Sequence, residues 1–180
     1  LYNHMPVTRD IYSGTLLYQY TNLLRNNYQG NLKTLVEKVC ISPAMLRFLD
    51  GDDNRSSAPN ENFARELLEL FTIGKGPLIG NGDYTNYTEL DVLSAAKVMT
   101  GWRVNQNTIT SYFDPKRHDN QDKTFSNAFN NAVITGNGDQ EYKQLIDMIF
   151  SQKEVSRYFC RKLYRFFVHY HLDNTIEKNI

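Results

Sequence analysis

His118 and Asp119 stand side by side in a stretch rich in Asn, Asp and Gly, with Lys123 close behind. A loop histidine next to a carboxylate can act as a general base, a metal ligand or a phosphate contact. Spacing alone selects none of these, and an Asp-Asn turn carrying a solvated histidine has the same composition. Loops carry function more readily than packed cores, which keeps a site reading open. A second concentration of polar groups lies between Asn60 and Gly74. Phe63, Leu67, Leu70 and Phe71 recur there at three- and four-residue spacing, the stripe of one amphipathic helix. Such a helix has no structural need of Asn60, Glu61, Asn62, Arg65, Glu66 and Glu69 together in its first turns. Their density implies a polar site or a buried ion-pair network. If there is an acid–base or metal-dependent site, it should join Glu61, Arg65 and Glu66 to His118, Asp119 and Lys123, with His4 as a further member.

The loop before that helix has metal-binding spacing. Counted from Asp50 as position one, Asp52, Asn54, Ser56 and Glu61 fall at three, five, seven and twelve, the ligand positions of a helix–loop–helix calcium site. Calcium needs hard oxygens at alternating positions and a helix-borne carboxylate to close the far side. Against this stand Arg55 where the tight turn wants Gly, Ala58 at position nine, and the stiff Pro59. A solvated Asp/Asn/Ser loop that caps the next helix explains the same residues. We therefore expect Glu61 to turn toward Arg65 or a helix N-terminus, and carry Asp50, Asp52, Asn54 and Glu61 as candidate metal ligands only. No other cofactor is indicated.

Other signals are weaker. Gly74-Lys-Gly76 and Gly80-Asn-Gly82 follow a helix instead of a strand and lack a Gly-Lys-Ser/Thr ending, so they read as a connection and not a phosphate cradle. No Gly-x-Ser-x-Gly elbow occurs. His169 and His171 fit the negative end of a helix dipole. Arg157, Arg161 and Arg165 form one row opposite Val155, Phe159, Leu163, Phe166 and Phe167. A bare row of like charge is unfavourable, so we expect a bridge to Glu66 or Glu69 on the 60–74 helix. Cys40 and Cys160 read as two buried thiols or one disulfide, with no spacing for zinc.

These residues must be positioned by helices. Helical spacing covers 11–27, the segment of Leu32, Leu35, Val36 and Val39, and a third helix opened by the cap pair Ser42-Pro43 and running to about Asp50. Thr88 and Asp91 form a capping box for a helix that stops at Gly101. Residues 102–138 change character, with strand candidates at Arg103-Val104, Ile109–Phe113 and Ala132–Thr135 among turn residues. Two helices, about 139–150 and 153–170, close the chain. The fold class expected is all-α, an irregular multi-helix bundle with a small β-hairpin insert around 102–138. The 180 residues suit a single domain, 1–180. Twenty basic and 20 acidic residues cancel, so nothing global draws the chain to nucleic acid or an anionic membrane. No apolar run approaches the roughly 20 residues of a membrane span.

The wording of the central block is itself specific. Asn-Glu-Asn-Phe-Ala-Arg-Glu-Leu-Leu-Glu-Leu-Phe-Thr-Ile-Gly, the Tyr-Thr-x-x-Asp-Val start at Tyr87, Thr100-Gly-Trp102, and His118-Asp119 with Lys123 resemble the bacterial domain-of-unknown-function family numbered 1800. Asn3-His4, Gly30-Asn-Leu32, Pro43-Ala-Met-Leu46 and Phe159-Cys-Arg-Lys-Leu-Tyr164 extend the resemblance over nearly the whole chain. It implies a mostly helical protein, often exported to the periplasm or cell surface, with no agreed reaction. Members are longer, so the chain reads as the central part of a larger protein. Three function classes follow: an exported binding or assembly component with a polar site on the 60–74 helix, an acid–base or metal-dependent enzyme, and a structural domain of a longer enzyme. A protein partner stays open.

Overall fold

Asn31 and Ser42 make the first corners of the fold. The computed structural model describes residues 1–8 and 13–179. Helix α1 (Gly14–Asn27) carries its buried Leu16, Tyr20 and Leu24 on one face; its expected start at residues 11 and 12 lies outside the described residues. The Asn31 side chain then accepts the amides of Lys33 and Thr34 at 2.8 and 3.3 Å and opens α2 (Leu32–Cys40). Ser42 accepts the amide of Met45 at 3.4 Å, and Pro43 begins α3 (Pro43–Phe48). Thr88 and Asp91 cap α5 (Glu89–Val98) reciprocally, as the spacing predicts.

The 60–74 block departs from a uniform helix. Helix α4 (Asn62–Glu66) widens into a π-helical segment over Leu67–Thr72. Ile73 and Gly74 both reach back to the carbonyl of Leu68, at 3.1 and 2.9 Å. The wider turn moves the stripe: Leu68 is fully buried, and Leu70, expected inside, is 40% exposed. Gly74 closes the segment at φ +71°, where a side chain would also strike the Tyr158 ring.

Two antiparallel ribbons fill residues 102–134. β1 (Trp102–Asn105) pairs with β2 (Thr110–Phe113) in the register Trp102 to Phe113, and β3 (Lys123–Thr124) pairs with β4 (Val133–Ile134). β3 was not expected, because two residues carry no alternation. The fold is thus helix-rich, with the expected β-hairpin insert and a second short ribbon beside it. Helices α6 (Glu141–Phe150), α7 (Lys153–Phe167) and α8 (Asn174–Asn179) follow; α7 stops three residues short of its expected end. The core forms where α2 packs on α6, α1 on α3 and α4 on α5, around Val36, Met45, Leu46, Phe63, Leu67, Val92 and Ile146. Asp91 does more than cap: its carboxylate also accepts the amide and hydroxyl of Ser126 at 2.6 and 2.7 Å, stapling the second ribbon to α5.

Candidate functional site

His118 is buried. Gly101, at φ +91°, turns the chain out of α5, and the amide of Asp114 returns to the Gly101 carbonyl at 2.8 Å. A Cβ on Gly101 would press on the Asp114 carbonyl and on the Cβ of His118. The loop after β2 therefore folds beneath the end of α5. His118 Nδ1 lies 2.9 Å from the Thr100 carbonyl and 3.2 Å from its hydroxyl, and Nε2 lies 2.9 Å from Glu141 Oε1. Lys123 Nζ donates to Glu141 Oε2 at 2.7 Å and to the Asp119 carbonyl. Glu141 Oε1 also accepts the amides of Asn137 and Gly138, at 2.9 and 3.2 Å. Glu141, the first residue of α6, is well placed for the positive end of the helix dipole. Burial would push its carboxyl up, but the bonds from Lys123 and His118 outweigh that and hold it below the ordinary carboxylate range.

Thr100, His118 and Glu141 follow the hydroxyl–imidazole–carboxylate order of a nucleophilic triad. Here the hydroxyl is already used: it donates to the Lys97 carbonyl at 2.6 Å and accepts the amide of Asp119 at 2.8 Å. Thr100 and Glu141 are fully buried and His118 is 3% exposed. The arrangement staples the insert to α5 and α6. Asp119 caps a turn, its carboxylate accepting the amide of Gln121 at 2.9 Å.

The expected convergence on the 60–74 helix does not occur. Arg65 makes a two-pronged bond to Glu89, both contacts 2.7 Å, and a third to Glu61 at 3.1 Å. Glu89 is the first residue of α5 and Thr100 lies just past its end, so the helix of 10 residues, about 15 Å long, keeps the two clusters apart. Glu66 stays with its own segment, its carboxyl raised first by burial and then by Glu69. Because Arg65 and Glu89 are 34% and 41% exposed, Arg65→Lys should cost only about 0.5–1 kcal/mol in urea denaturation. A loss above about 2 kcal/mol would mean the cluster is a structural keystone.

The wide π turn leaves several carbonyls unpaired, and side chains from elsewhere cap them. Tyr158 donates to the Glu69 carbonyl at 3.0 Å, Lys162 to that of Leu70 at 2.7 Å, and His4 Nε2 to that of Phe71 at 2.9 Å. Asn86 donates to the carbonyls of Ile73 and Gly74 at 3.2 and 3.0 Å. Helix α7 thus meets this segment through Tyr158 and Lys162. The expected bridge from its arginines to Glu66 or Glu69 is absent among the described residues: Arg161 pairs with Glu154 of its own helix, and Arg157 and Arg165 are exposed. Tyr158 and Lys162 each follow an arginine by one residue, so the arginine row is turned by about 100° from the contact. Glu69 pairs instead with Lys75 at 2.7 Å and accepts from Tyr87 at 3.3 Å.

The 50–61 loop spends its polar groups on the fold. Asp52 meets Arg47 at 3.0 Å, Asn54 donates to the Ala96 carbonyl at 2.7 Å and accepts the amide of Asn60 at 2.9 Å, and Glu61 turns to Arg65. The candidate calcium oxygens therefore point to different elements. Among the described residues no group of three or more His, Cys, Asp or Glu is arranged to hold a metal ion. Both cysteines are free, Cys40 buried and Cys160 exposed, which corrects the reading of Cys160 as an inner residue. Burial pushes the Cys40 thiol up. His169 and His171 are exposed, with the His171 amide 3.1 Å from His169 Nδ1.

A cleft of about 730 Å³ separates α3 from the β1–β2 ribbon. Arg47, Phe48, Asp50, Asp52 and Asp53 line one side and Val104, Asn105, Gln106 and Ile109 another, with Thr8, Ser13 and Leu16 also lining it. Asp50 and Ile109 are left-handed, at φ +56° and +53°, two of four such non-glycine residues among those described. For a β-branched residue that conformation is strained. Burial raises the Asp52 carboxyl, with Arg47 pulling the other way. Arg103 donates to the Asp52 carbonyl and lies 3.5 Å from Asp53, so two carboxylates, Asp52 and Asp53, face the guanidinium groups of Arg47 and Arg103. Sequence reasoning marked Asp50 and Asp52 but missed Arg47, Ile109, Glu141 and Thr100. Only the oddity of a β-branched residue after Gln-Asn-Thr hinted at Ile109.

Among the described residues, fold and clusters define a helix-rich structure with two short β-ribbons, internally stapled by buried polar groups and opened by a sizeable cleft. The chain belongs to the family described as protein of unknown function DUF1800, whose model matches residues 1–179. No curated protein and no solved structure matches it. No helix among the described residues is long and apolar enough to cross a membrane.

Proposed function

We propose that the chain is a binding component whose ligand enters the cleft between α3 and the β1–β2 ribbon, not the polar face of the 60–74 helix. One observation carries this reading: Ile109, a β-branched residue held in the strained left-handed conformation, lines this cleft. Strain of this kind persists where surrounding structure holds a surface in a required shape, and it gathers at ligand sites. The walls mix carboxylate, amide and guanidinium groups with Phe48, Val104 and Ile109. That mixture suits a small polar ligand with hydroxyl or amine groups and one apolar face. The acid–base alternative has less support, because His118, Lys123 and Glu141 are enclosed and bonded to one another. An exported location is part of the proposal by family resemblance, and fractionation of producing cells would test it.

A melting screen of sugars, polyols and amines tests the reading. A ligand at about 100 times its Kd adds about 2.7 kcal/mol, a rise in melting temperature of roughly 5–10 °C for a chain of this size. Asp50→Asn and Asp52→Asn should abolish that rise, and Arg65→Lys should keep it. Hits that survive both aspartate changes would place binding elsewhere.

A further inference from the structure

Helix α7 is held to the rest of the chain by few groups. Val155 is its one buried residue among those described, and Leu163, Phe166 and Phe167 are 41–74% exposed. Its polar anchors are Tyr158 and Lys162 on the carbonyls of the π segment. His4 completes the anchor. Its Nε2 donates to the Phe71 carbonyl, which leaves Nδ1 as the acceptor for Lys162 Nζ at 3.1 Å. The nitrogen on which His4 must gain a second proton is therefore already taken by a cation.

We propose that His4 and Lys162 form an acid-sensitive latch: protonation of His4 ejects the Lys162 ammonium and releases α7 from the π segment while the rest of the fold stays closed. The groups facing the ring leave no other place for the proton. From α7 it meets Lys162 and the ring of Phe159, and from the π segment the carbonyl and ring of Phe71. The nearby acids have other partners: Glu69 holds Lys75 and Tyr87, and Glu154 holds Arg161. Glu66, whose carboxyl is raised by burial, makes no bond to the ring.

Burial first, and Lys162 second, lower the His4 pKa from 6.5 to about 4. The released form takes the proton near 6.5 and the latched form only near 4, so the latch is fully favoured above that interval and weakens as pH falls through it. The ring is partly exposed, and an expected weakening of roughly 10- to 100-fold allows for solvent screening.

Hydrogen exchange from pH 7 to pH 4, corrected for the intrinsic rate of exchange, tests this directly. Protection of residues 153–167 should fall by about 10- to 100-fold, while 89–98 and 141–150 keep theirs. His4→Gln donates and accepts without titrating, so its α7 should show no such fall. Ring resonances give a second readout in the native chain: His4 should titrate near 4, well below the ordinary histidine value of 6.5. Should His4→Gln fail to fold, Lys162→Met serves instead; it keeps the stem, removes the cation, and should move the His4 titration back toward 6.5. Unchanged α7 protection, simultaneous loss from α6, a Gln variant as acid-sensitive as wild type, or an unmoved titration in Lys162→Met would overturn the latch.

Discussion

Glu141→Gln should destabilise the chain by about 3–5 kcal/mol, a large share of the total of a typical domain. The carboxylate accepts four N–H donors in a site with almost no exposure: His118, Lys123 and the amides of Asn137 and Gly138. The amide that replaces it has no charge and turns a donor toward one of those donors. Lys123 is then left buried without a counter-charge, and the return of such a group to water favours unfolding. Lys123→Met keeps the packed stem and removes the cation; it should cost less, about 1–3 kcal/mol, since Glu141 keeps its other three partners. The sign with pH follows from the lowered Glu141 carboxyl: its contribution is complete above the ordinary carboxylate range and is lost as pH falls through the folded value. Urea denaturation at neutral pH measures both variants. A Gln variant within about 1 kcal/mol of wild type would show that the network is not the staple described.

Gly74→Ala should cost about 2–4 kcal/mol through two separable effects. The backbone at φ +71° resists a Cβ by roughly 1–2 kcal/mol. The added carbon would also stand 2.7 Å from two carbons of the Tyr158 ring. That ring cannot swing clear without breaking its bond to the Glu69 carbonyl. In a Tyr158→Ala background only the backbone part should remain, so a double-mutant cycle should return a coupling of about 1–2 kcal/mol. Strict additivity would mean the ring relaxes freely and α7 is not gauged by Gly74.

Much of the helical scaffold was legible because its signals are local. Ser42-Pro43 and the Thr88–Asp91 box each act within one turn, and the structure places both where the spacing predicts. Strand candidates in 102–138 were found from turn residues and β-branched runs. What could not be read depends on groups far apart in the chain. His118 sits between Arg117 and Asp119 and looks solvated; only the fold-back beneath Thr100 buries it. Its partner Glu141 resembles any acidic residue in a first helical turn. The π turn was equally hidden, since Leu67, Leu68, Leu70 and Phe71 satisfy a helical stripe under either winding and differ only in which leucine goes inward. The cleft needs α3 and a ribbon some fifty residues later, and no short pattern announces it.

The π segment also makes the length of its motif as important as its composition. Over Leu67–Thr72 the wide winding spaces out the carbonyls that Tyr158, Lys162 and His4 reach from two separate parts of the chain. Deleting one residue from those six would let the segment rewind as ordinary α-helix. The remaining backbone would then be rotated by about 100° against three fixed side chains. Such a deletion leaves Tyr158, Lys162 and His4 intact and still misaims all three, so a gap here is a graver change than most substitutions.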